Sequence, residues 1–168
     1  MRYGTILADP PWPSLGMRGQ LVKAGRHYPT MTLKEITGLP MADLAEKNAH
    51  LYCWALLPMV ADAFDVVRAW GFKPSTVITW CKSGPGLGGG FRGNTEHLIV
   101  ARRGDLPFST TAKGTWYIAK RGAHSAKPEM FMDLIESMSP GPYLELFARR
   151  QRLGWDVWGN EVDSEIVL

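Results

Sequence analysis

The sequence predicts an α/β fold with a mainly parallel central sheet and helices on both of its faces. Three observations lead to this prediction: apolar runs of strand length, amphipathic segments between them, and glycine or proline residues that separate the two. Apolar strands that alternate with amphipathic helices are typical of parallel sheets covered on both sides. The chain has 168 residues, enough for a sizeable core, and we expect one domain spanning residues 1–168.

Five runs rich in aromatic and β-branched residues have the length of strands. The first, YGTILA, is followed at once by an aspartate, two prolines and a tryptophan, so a turn is expected there. Ligands bind beyond the carboxyl ends of the strands in such sheets, which places this turn at the ligand-binding edge. The predicted strands cover residues 3–8, 50–56, 76–82, 96–101 and 143–148.

Helical spacing is found in two of the connecting segments. In residues 58–70 apolar side chains recur at helical spacing, Pro58 suits the first turn, and Gly71 suits the end. A third connecting segment, residues 32–47, lies between the first two predicted strands. The other helix is predicted to begin at Pro128, and its apolar face comprises Met130, Phe131, Leu134, Ile135 and Met138.

Charge and composition place loose limits on function. A net charge of +3 permits a polyanionic partner without requiring one. No apolar run is long enough for a signal peptide or a membrane span, so we expect an intracellular, cytoplasmic protein. Cys53 and Cys81 lie in apolar strand-like runs and are expected to be free thiols. The four histidines and two cysteines lack the spacing of zinc ligands, so no metal is expected.

The segment 83–94 contains six glycines, SGPGLGGGFRGN. It lacks the spacing of a phosphate-binding loop. One interpretation is a mobile surface loop. The other is a lid that grips the substrate, with Phe91 as a stacking plate and Arg92 as a phosphate contact.

The turn after the first strand reads Asp9-Pro10-Pro11-Trp12. In isolation it fits an ordinary turn, but it also fits a site for a planar amino group. The N6 amine of adenine is a poor nucleophile, because its lone pair is delocalised into the ring. Asp9 and the carbonyl of Pro10 could each accept one amine N–H, held in place by the two stiff prolines. Trp12 is predicted to offer a face on which a flipped-out base stacks.

The chain resembles the MT-A70 family of S-adenosylmethionine-dependent adenine N6-methyltransferases. The resemblance runs from ILADPPW to WDVWGNEV and thus covers nearly the whole chain. It implies a permuted Rossmann-like methyltransferase fold, with S-adenosylmethionine as the methyl donor and direct transfer to the amine. Further motifs follow in the family's order: HYPTM at 27–31, HLYCWAL at 50–56, AWGF at 69–72, VITWCKSG at 77–84, TEHLIVARRG at 95–104 and HSAKPEMFMDLIESMSPGPYLELFARR at 124–150.

The resemblance also implies roles for single residues. Tyr28 corresponds to a tyrosine near the target adenine and the transferred methyl group. Lys127 corresponds to a lysine that meets the cofactor carboxylate, and the predicted helix start at Pro128 would favour an anion at the same place. The expected catalytic residues are Asp9, Pro10, Pro11, Trp12 and Tyr28. The expected cofactor-binding residues are Asp9, Lys127, Glu145, Phe147, Arg149, Asn160 and Glu161.

Two departures from the family pattern stand out. Only eight residues precede Asp9, where family members commonly have an upstream segment with cofactor contacts. After FAR the chain reads RQRLGWDVWGN, with arginines where other members often carry a histidine–asparagine pair. We therefore expect altered ribose contacts around Gln151 and Arg152, with the extra arginines touching substrate phosphate instead.

The substrate is less determined than the reaction. The chain's compactness and the lack of an RNA-binding module favour DNA over RNA, in a stripped-down enzyme of bacterial or phage type. Target recognition would come from loops of this domain, a second copy, or a partner subunit. A catalytically silent nucleic-acid-binding subunit is one alternative, although both the acid and the aromatic residue of the tetrad are kept. Methylation of another planar amine, such as cytosine N4, is the other.

Overall fold

The computed structural model describes residues 1–13, 30–84, 86, 90–109, 112–122 and 126–168. Their strands form one seven-stranded sheet with the order β5-β3-β4-β2-β1-β6-β7. The strands are β1 Tyr3–Ala8, β2 Ala45–Leu56, β3 Lys73–Lys82, β4 Thr95–Arg103, β5 Trp116–Ala119, β6 Tyr143–Leu146 and β7 Trp155–Trp158; the α-helices are α1 Leu33–Thr37, α2 Met41–Leu44, α3 Val60–Ala69 and α4 Met130–Met138, with a 3₁₀ helix over Leu57–Met59.

The sheet is mixed but mostly parallel. β1 pairs in parallel with β2 and β6, β6 with β7, and β3 with β5. β4 runs antiparallel to both β2 and β3. The carboxyl ends of all the other described strands therefore meet at one edge of the sheet, as the predicted α/β class requires.

Hydrophobic cores pack against both faces of the sheet. Successive residues of a strand point to opposite faces, so Ile6 joins the core beneath α1 and α3, whereas Leu7 joins the core beneath α4. All six residues of β1 are buried. This explains why β1 reads as an uninterrupted apolar run rather than an alternating one.

The two predicted amphipathic helices are confirmed. α3 follows a 3₁₀ turn that contains Pro58, buries Val66 and Val67, and is followed by Gly71 at φ 84°, a conformation that glycine adopts without strain. α4 begins two residues after Pro128 and buries Phe131. The amide of Phe131 donates to the Pro128 carbonyl at 3.1 Å, so a turn leads into the helix.

Some element boundaries differ from the sequence prediction. Segment 32–47 divides into α1, α2 and the first residues of β2. The last predicted strand ends at Leu146 instead of residue 148, because Phe147 has a φ of 63° and leaves the strand conformation. β5 and β7 were not predicted: both are four-residue strands whose side chains alternate between inner and outer positions.

Two smaller expectations were also tested. Cys53 and Cys81 are free thiols, as predicted. Among the helices formed by the described residues, none has the length and apolar character needed to cross a membrane.

Candidate active site

A cleft lies where the carboxyl ends of β1 and β6 meet the start of α4. This is the edge at which the sequence predicted a ligand site. Leu7 and Trp54 form part of its apolar wall. The cleft brings together five predicted site residues: Asp9, Lys127, Glu145, Phe147 and Arg149.

Asp9 and Lys127 form an ion pair in this cleft. The Lys127 ammonium donates to Oδ2 of Asp9 at 2.6 Å, and the two side chains are 19% and 24% exposed, respectively. Within the residues that the structure describes, Oδ2 is the oxygen of Asp9 that is hydrogen-bonded, so Oδ1 can accept another hydrogen. The lysine expected to meet a cofactor therefore also contacts the expected catalytic acid.

Glu96 and Lys82 extend this pair into a row of alternating charges. Lys127 Nζ lies 3.3 Å from Oε2 of Glu96, and the Lys82 ammonium donates to Oε1 of the same carboxylate. We call Asp9, Lys127, Glu96 and Lys82 the charged row. Glu96 and Lys82 were missed as site residues, although both lie in motifs of the family resemblance; their convergence depends on the antiparallel pairing of β3 with β4.

The charged row keeps Lys127 protonated. Burial disfavours the ammonium form, but the charges of Asp9 and Glu96 outweigh it and raise the pKa of Lys127. The ammonium also lies 5.3 Å from the centre of the Trp54 ring, within cation–π range. A permanent cation is thus held beside a carboxylate that still has a free acceptor atom.

Glu145 gives the cleft a carboxyl group that titrates near neutrality. Burial and the negative charge of Asp9 raise its pKa to about 7. Glu145 lies on β6 opposite Leu7 of β1. The nearby Arg150 and Lys127 lower the pKa but do not offset burial.

The Asp9–Trp12 turn differs in one respect from the sequence prediction. The Trp12 side chain is 7% exposed, and its indole N–H donates to the Trp54 carbonyl at 2.8 Å. Trp12 thus packs in the core beneath α1 and α3 and does not present an exposed stacking face, because the turn folds it back over β2. The Pro10 carbonyl accepts the Trp12 amide at 2.8 Å, which closes the turn and leaves one lone pair of that oxygen.

Phe147 and Arg149 follow the end of β6. The Phe147 ring packs edge-on against Trp158 with ring centres 5.3 Å apart, and this contact holds its left-handed backbone. Arg149 Nε lies 3.8 Å from Oε1 of Glu161. The close approach of the backbones at residues 148 and 159 requires Gly159, since a Cβ atom at that position would lie 2.2 Å from the Ala148 carbonyl oxygen.

Comparison with known protein families identifies the family of this chain. A model of the MT-A70 family matches residues 3–161, nearly the whole chain. The chain belongs to the MT-A70 family. Its members are adenine N6-methyltransferases that use S-adenosylmethionine, so the sequence-based resemblance is confirmed and the chain is a methyltransferase of this class.

Relatives of the chain include both bacterial and eukaryotic enzymes. It is 31% identical to the Type II methyltransferase M.MunI of Mycoplasma, over 99% of this chain and 81% of that protein. It is 26% identical to the N6-methyladenosine RNA methyltransferase MTA1 of Cryphonectria parasitica and 28% identical to the human N(6)-adenine-specific methyltransferase METTL4, over 95% of this chain in each case. The chain spans 52% and 37% of the latter two proteins.

The arginines expected to touch substrate phosphate in this MT-A70 chain form ion pairs with carboxylates instead. Arg152 donates to Glu129, Asp133 and Glu136 at 2.7–3.0 Å, and Arg150 contacts Glu129 at 2.5 Å. We call Arg150, Arg152, Glu129, Asp133 and Glu136 the arginine cluster. It ties the β6–β7 connection to α4, and Glu129, Arg150 and Arg152 of the cluster also line the cleft. The phosphate expectation is therefore wrong for Arg152, whose donors are taken by three carboxylates.

Other predicted residues lie outside the cleft or outside the described residues. Asn160 is exposed and does not line the cleft, and Glu161 is linked to it through Arg149. Tyr28 falls outside the described residues. In the glycine-rich segment Phe91 and Arg92 are fully or largely exposed, which is compatible with both interpretations of that loop.

Proposed function

We propose that the chain transfers the methyl group of S-adenosylmethionine to N6 of adenine in DNA. The observation that carries this proposal is the position of Asp9: it follows β1 at the ligand-binding edge, lines the cleft, and has one carboxylate oxygen that no described residue hydrogen-bonds. The membership of the MT-A70 family supplies the reaction class.

Asp9 would act on the substrate amine. An N–H of adenine N6 donated to Oδ1 would favour a pyramidal nitrogen, whose lone pair is then available for attack. Lys127 holds Oδ2 at 2.6 Å and so fixes the orientation of the carboxylate. After transfer the nitrogen carries one proton too many, and Asp9 is the nearest base to receive it or pass it to solvent.

The Pro10 carbonyl is the proposed second acceptor for the amine. It already accepts the Trp12 amide, and its remaining lone pair can take one amine N–H. Trp12 supports this arrangement from within the core, by the hydrogen bond to Trp54 that anchors the turn. We propose for Trp12 this positioning role, and for Pro11 that of stiffening the turn.

The cleft has the charges that suit S-adenosylmethionine. Lys127, at the start of α4, can meet the carboxylate of the cofactor, and Glu145 can face its cationic end. Phe147 and Arg149 line the cleft beside them, and we propose that Asn160 and Glu161 complete the adenine side. When bound, the cofactor supplies an electrophilic methyl group. Tyr28 is retained as a proposed neighbour of the target adenine.

DNA is favoured over RNA as the substrate. The Type II designation of the Mycoplasma relative, which this chain matches over most of that protein's length, points to DNA. The relative named as an RNA methyltransferase is about twice as long as the matched region. A second copy or a partner subunit remains part of the proposal as a source of target recognition.

Mass spectrometry of digested nucleosides tests this proposal directly. The purified chain is incubated with isotopically labelled S-adenosylmethionine and with DNA and RNA in parallel. We expect labelled N6-methyladenine from DNA, and none from an Asp9→Ala variant that still binds the cofactor. Label from RNA alone would overturn the substrate assignment. No label from either pool by a folded, cofactor-binding chain would overturn the proposal and favour a silent subunit.

A further inference from the structure

β5 is an edge strand with exposed apolar side chains. It pairs in parallel with β3, and at the edge of the sheet its other side is free of a described strand. Tyr117 and Ala119 pack against the core beneath α4. Trp116 and Ile118 point to the opposite face and are 64% and 66% exposed. Contiguous exposed apolar patches on a protein surface mark interaction sites.

The chain around β5 carries positive charge alone. No aspartate or glutamate occurs between residues 106 and 128, whereas Lys113, Lys120 and Arg121 flank the strand. All three side chains are exposed, and no carboxylate of the described residues pairs with them. This differs from the arginine cluster, where every guanidinium has a carboxylate partner. Unpaired cations around an exposed indole suit a polyanion with flat aromatic groups.

β5 is also close to the cleft. Its carboxyl end lies at the same edge of the sheet as Asp9, because β5 is parallel to β3 and β3 runs in the same direction as β1. The Ala119 carbonyl accepts the indole N–H of Trp80 at 3.0 Å. Tyr117 contacts Phe131, a residue of the cleft wall, with ring centres 5.9 Å apart. Arg121 is six residues from Lys127, which limits their separation to about 20 Å.

We propose that the exposed side of β5 and its basic flanks bind single-stranded DNA next to the target adenine. This proposal rests on the proposed function and adds a surface and a strand state to it. Trp116 would stack on one base, Ile118 would extend the apolar platform, and Lys113, Lys120 and Arg121 would contact phosphates. Stacking needs a base whose face is open, and in a duplex the neighbouring base pairs cover both faces.

A second copy of the chain is a poorer occupant of this edge. Pairing of two β5 strands would bring the lysines and arginines of both copies together without a carboxylate between them. Lysines at a free sheet edge ordinarily prevent such pairing. The same charges attract nucleic acid, so charge complementarity favours DNA.

The test measures equilibrium binding and does not need methyl transfer. A fluorescein-labelled single-stranded 16-mer rich in adenine, and its duplex, are titrated with the full chain and followed by anisotropy. The variants are Trp116→Ala, Trp116→Phe and Lys120→Glu/Arg121→Glu. Leu153→Ala is the matched control, because Leu153 is 101% exposed on the β6–β7 connection, beside the arginine cluster.

We expect Trp116→Ala to weaken single-strand binding about tenfold, since one base–aromatic stack contributes about 1–3 kcal/mol. Trp116→Phe should retain most of the affinity. The double charge reversal should reduce the salt dependence, because each lost phosphate contact lowers the slope by about 0.7. Leu153→Ala should bind as the unchanged chain does. S-adenosylmethionine affinity, measured by calorimetry, should be the same in all variants.

Three results would overturn the proposal: unchanged single-strand affinity in both Trp116→Ala and the double charge reversal, a loss confined to the duplex, or a dimer of the chain that Trp116→Ala dissociates. A chain that methylates no DNA but loses single-strand binding in these variants would overturn the proposed function and leave this surface standing. If the chain methylates DNA and Trp116→Ala leaves the KM for DNA unchanged, the proposed surface is overturned and the proposed function stands.

Discussion

The charged row and the arginine cluster are both ion-pair networks, yet their surroundings differ. In the charged row the four side chains are 8–24% exposed and line or adjoin the cleft. In the arginine cluster the carboxylates are 34–69% exposed, although Glu129, Arg150 and Arg152 also line the cleft. Removing one partner from a buried network leaves an uncompensated charge, whereas exposed pairs contribute little each. The charged row should therefore depend more on each of its members than the arginine cluster does.

Lys127→Met should have the largest effect. It leaves the carboxylate of Asp9 without its cation, leaves Glu96 paired with Lys82 alone, and removes the proposed partner of the cofactor carboxylate. We expect at least a hundredfold loss of kcat/KM, together with weaker binding of S-adenosylmethionine in calorimetry. Lys47→Met, which removes an exposed lysine of β2, is the control. A normal cofactor affinity with collapsed turnover would refute the cofactor-binding role of Lys127.

Glu96→Gln tests whether the far end of the charged row matters to the reaction. The amide keeps the shape of the side chain but removes the charge shared by Lys82 and Lys127. Lys127 would then bind Asp9 more tightly, and the Asp9 carboxylate would be less available to the substrate amine. We expect kcat to fall about tenfold while KM for the cofactor changes little, and Glu96→Asp to recover part of the rate. Equal kcat values would show that Glu96 is not a positioning residue.

Arg152→Ala should act mainly on stability, although Arg152 lines the cleft. Without the guanidinium, three carboxylates lie close together on α4 and its flank, so we expect a loss of about 1–3 kcal/mol. For a domain of this size that corresponds to a fall in Tm of several degrees. Arg68→Ala, which breaks an exposed pair with Asp65, should leave Tm unchanged within error. Equal Tm shifts in the two variants would show that the cluster adds nothing beyond its single pairs.

Glu145→Gln should produce the smallest change, and only above about pH 4.5. The pKa of Glu145 is raised from 4.5 to about 7, so between these values the folded chain holds a proton that the unfolded chain has released. The stability of the unchanged chain therefore falls as the pH rises from about 4.5 to about 7, and then levels off. The variant, which resembles the protonated form, should match the unchanged chain below about pH 4.5 and exceed its Tm by a few degrees at pH 8.

The pH dependence of Tm is measured by thermal unfolding of both proteins from pH 4 to pH 9. Parallel curves would contradict the raised pKa of Glu145. A gap that closes when S-adenosylmethionine is added would indicate that the cationic cofactor restores the ionised carboxylate.

Much of the fold and part of the site could be predicted from local sequence. Long apolar runs and the helical spacing of Val60, Phe64, Val67 and Trp70 mark strands and helices, because burial on one or both faces leaves a periodic pattern. The position of Asp9 follows from a single topological rule, since the first strand of such a sheet ends at the ligand-binding edge. The correspondence of Lys127 came from the family resemblance and not from its local pattern.

Long-range packing set the remaining features. β5 and β7 have four residues each, too few for a periodic pattern to stand out. Trp12 is buried because its indole N–H reaches Trp54, 42 residues away. The donors of Arg152 are used by carboxylates of α4, which only the folded chain brings near.

The sequence by itself determined the α/β class, the family and the location of the proposed catalytic turn, because each of these depends on motifs whose residues are close in the chain. The tertiary structure alone decided the charged row, in which Asp9, Lys82, Glu96 and Lys127 come from the turn after β1, from β3, from β4 and from the segment before α4. The interaction energies and pKa shifts of these groups depend on distance and burial. Both are set by strand order and register rather than by spacing along the chain.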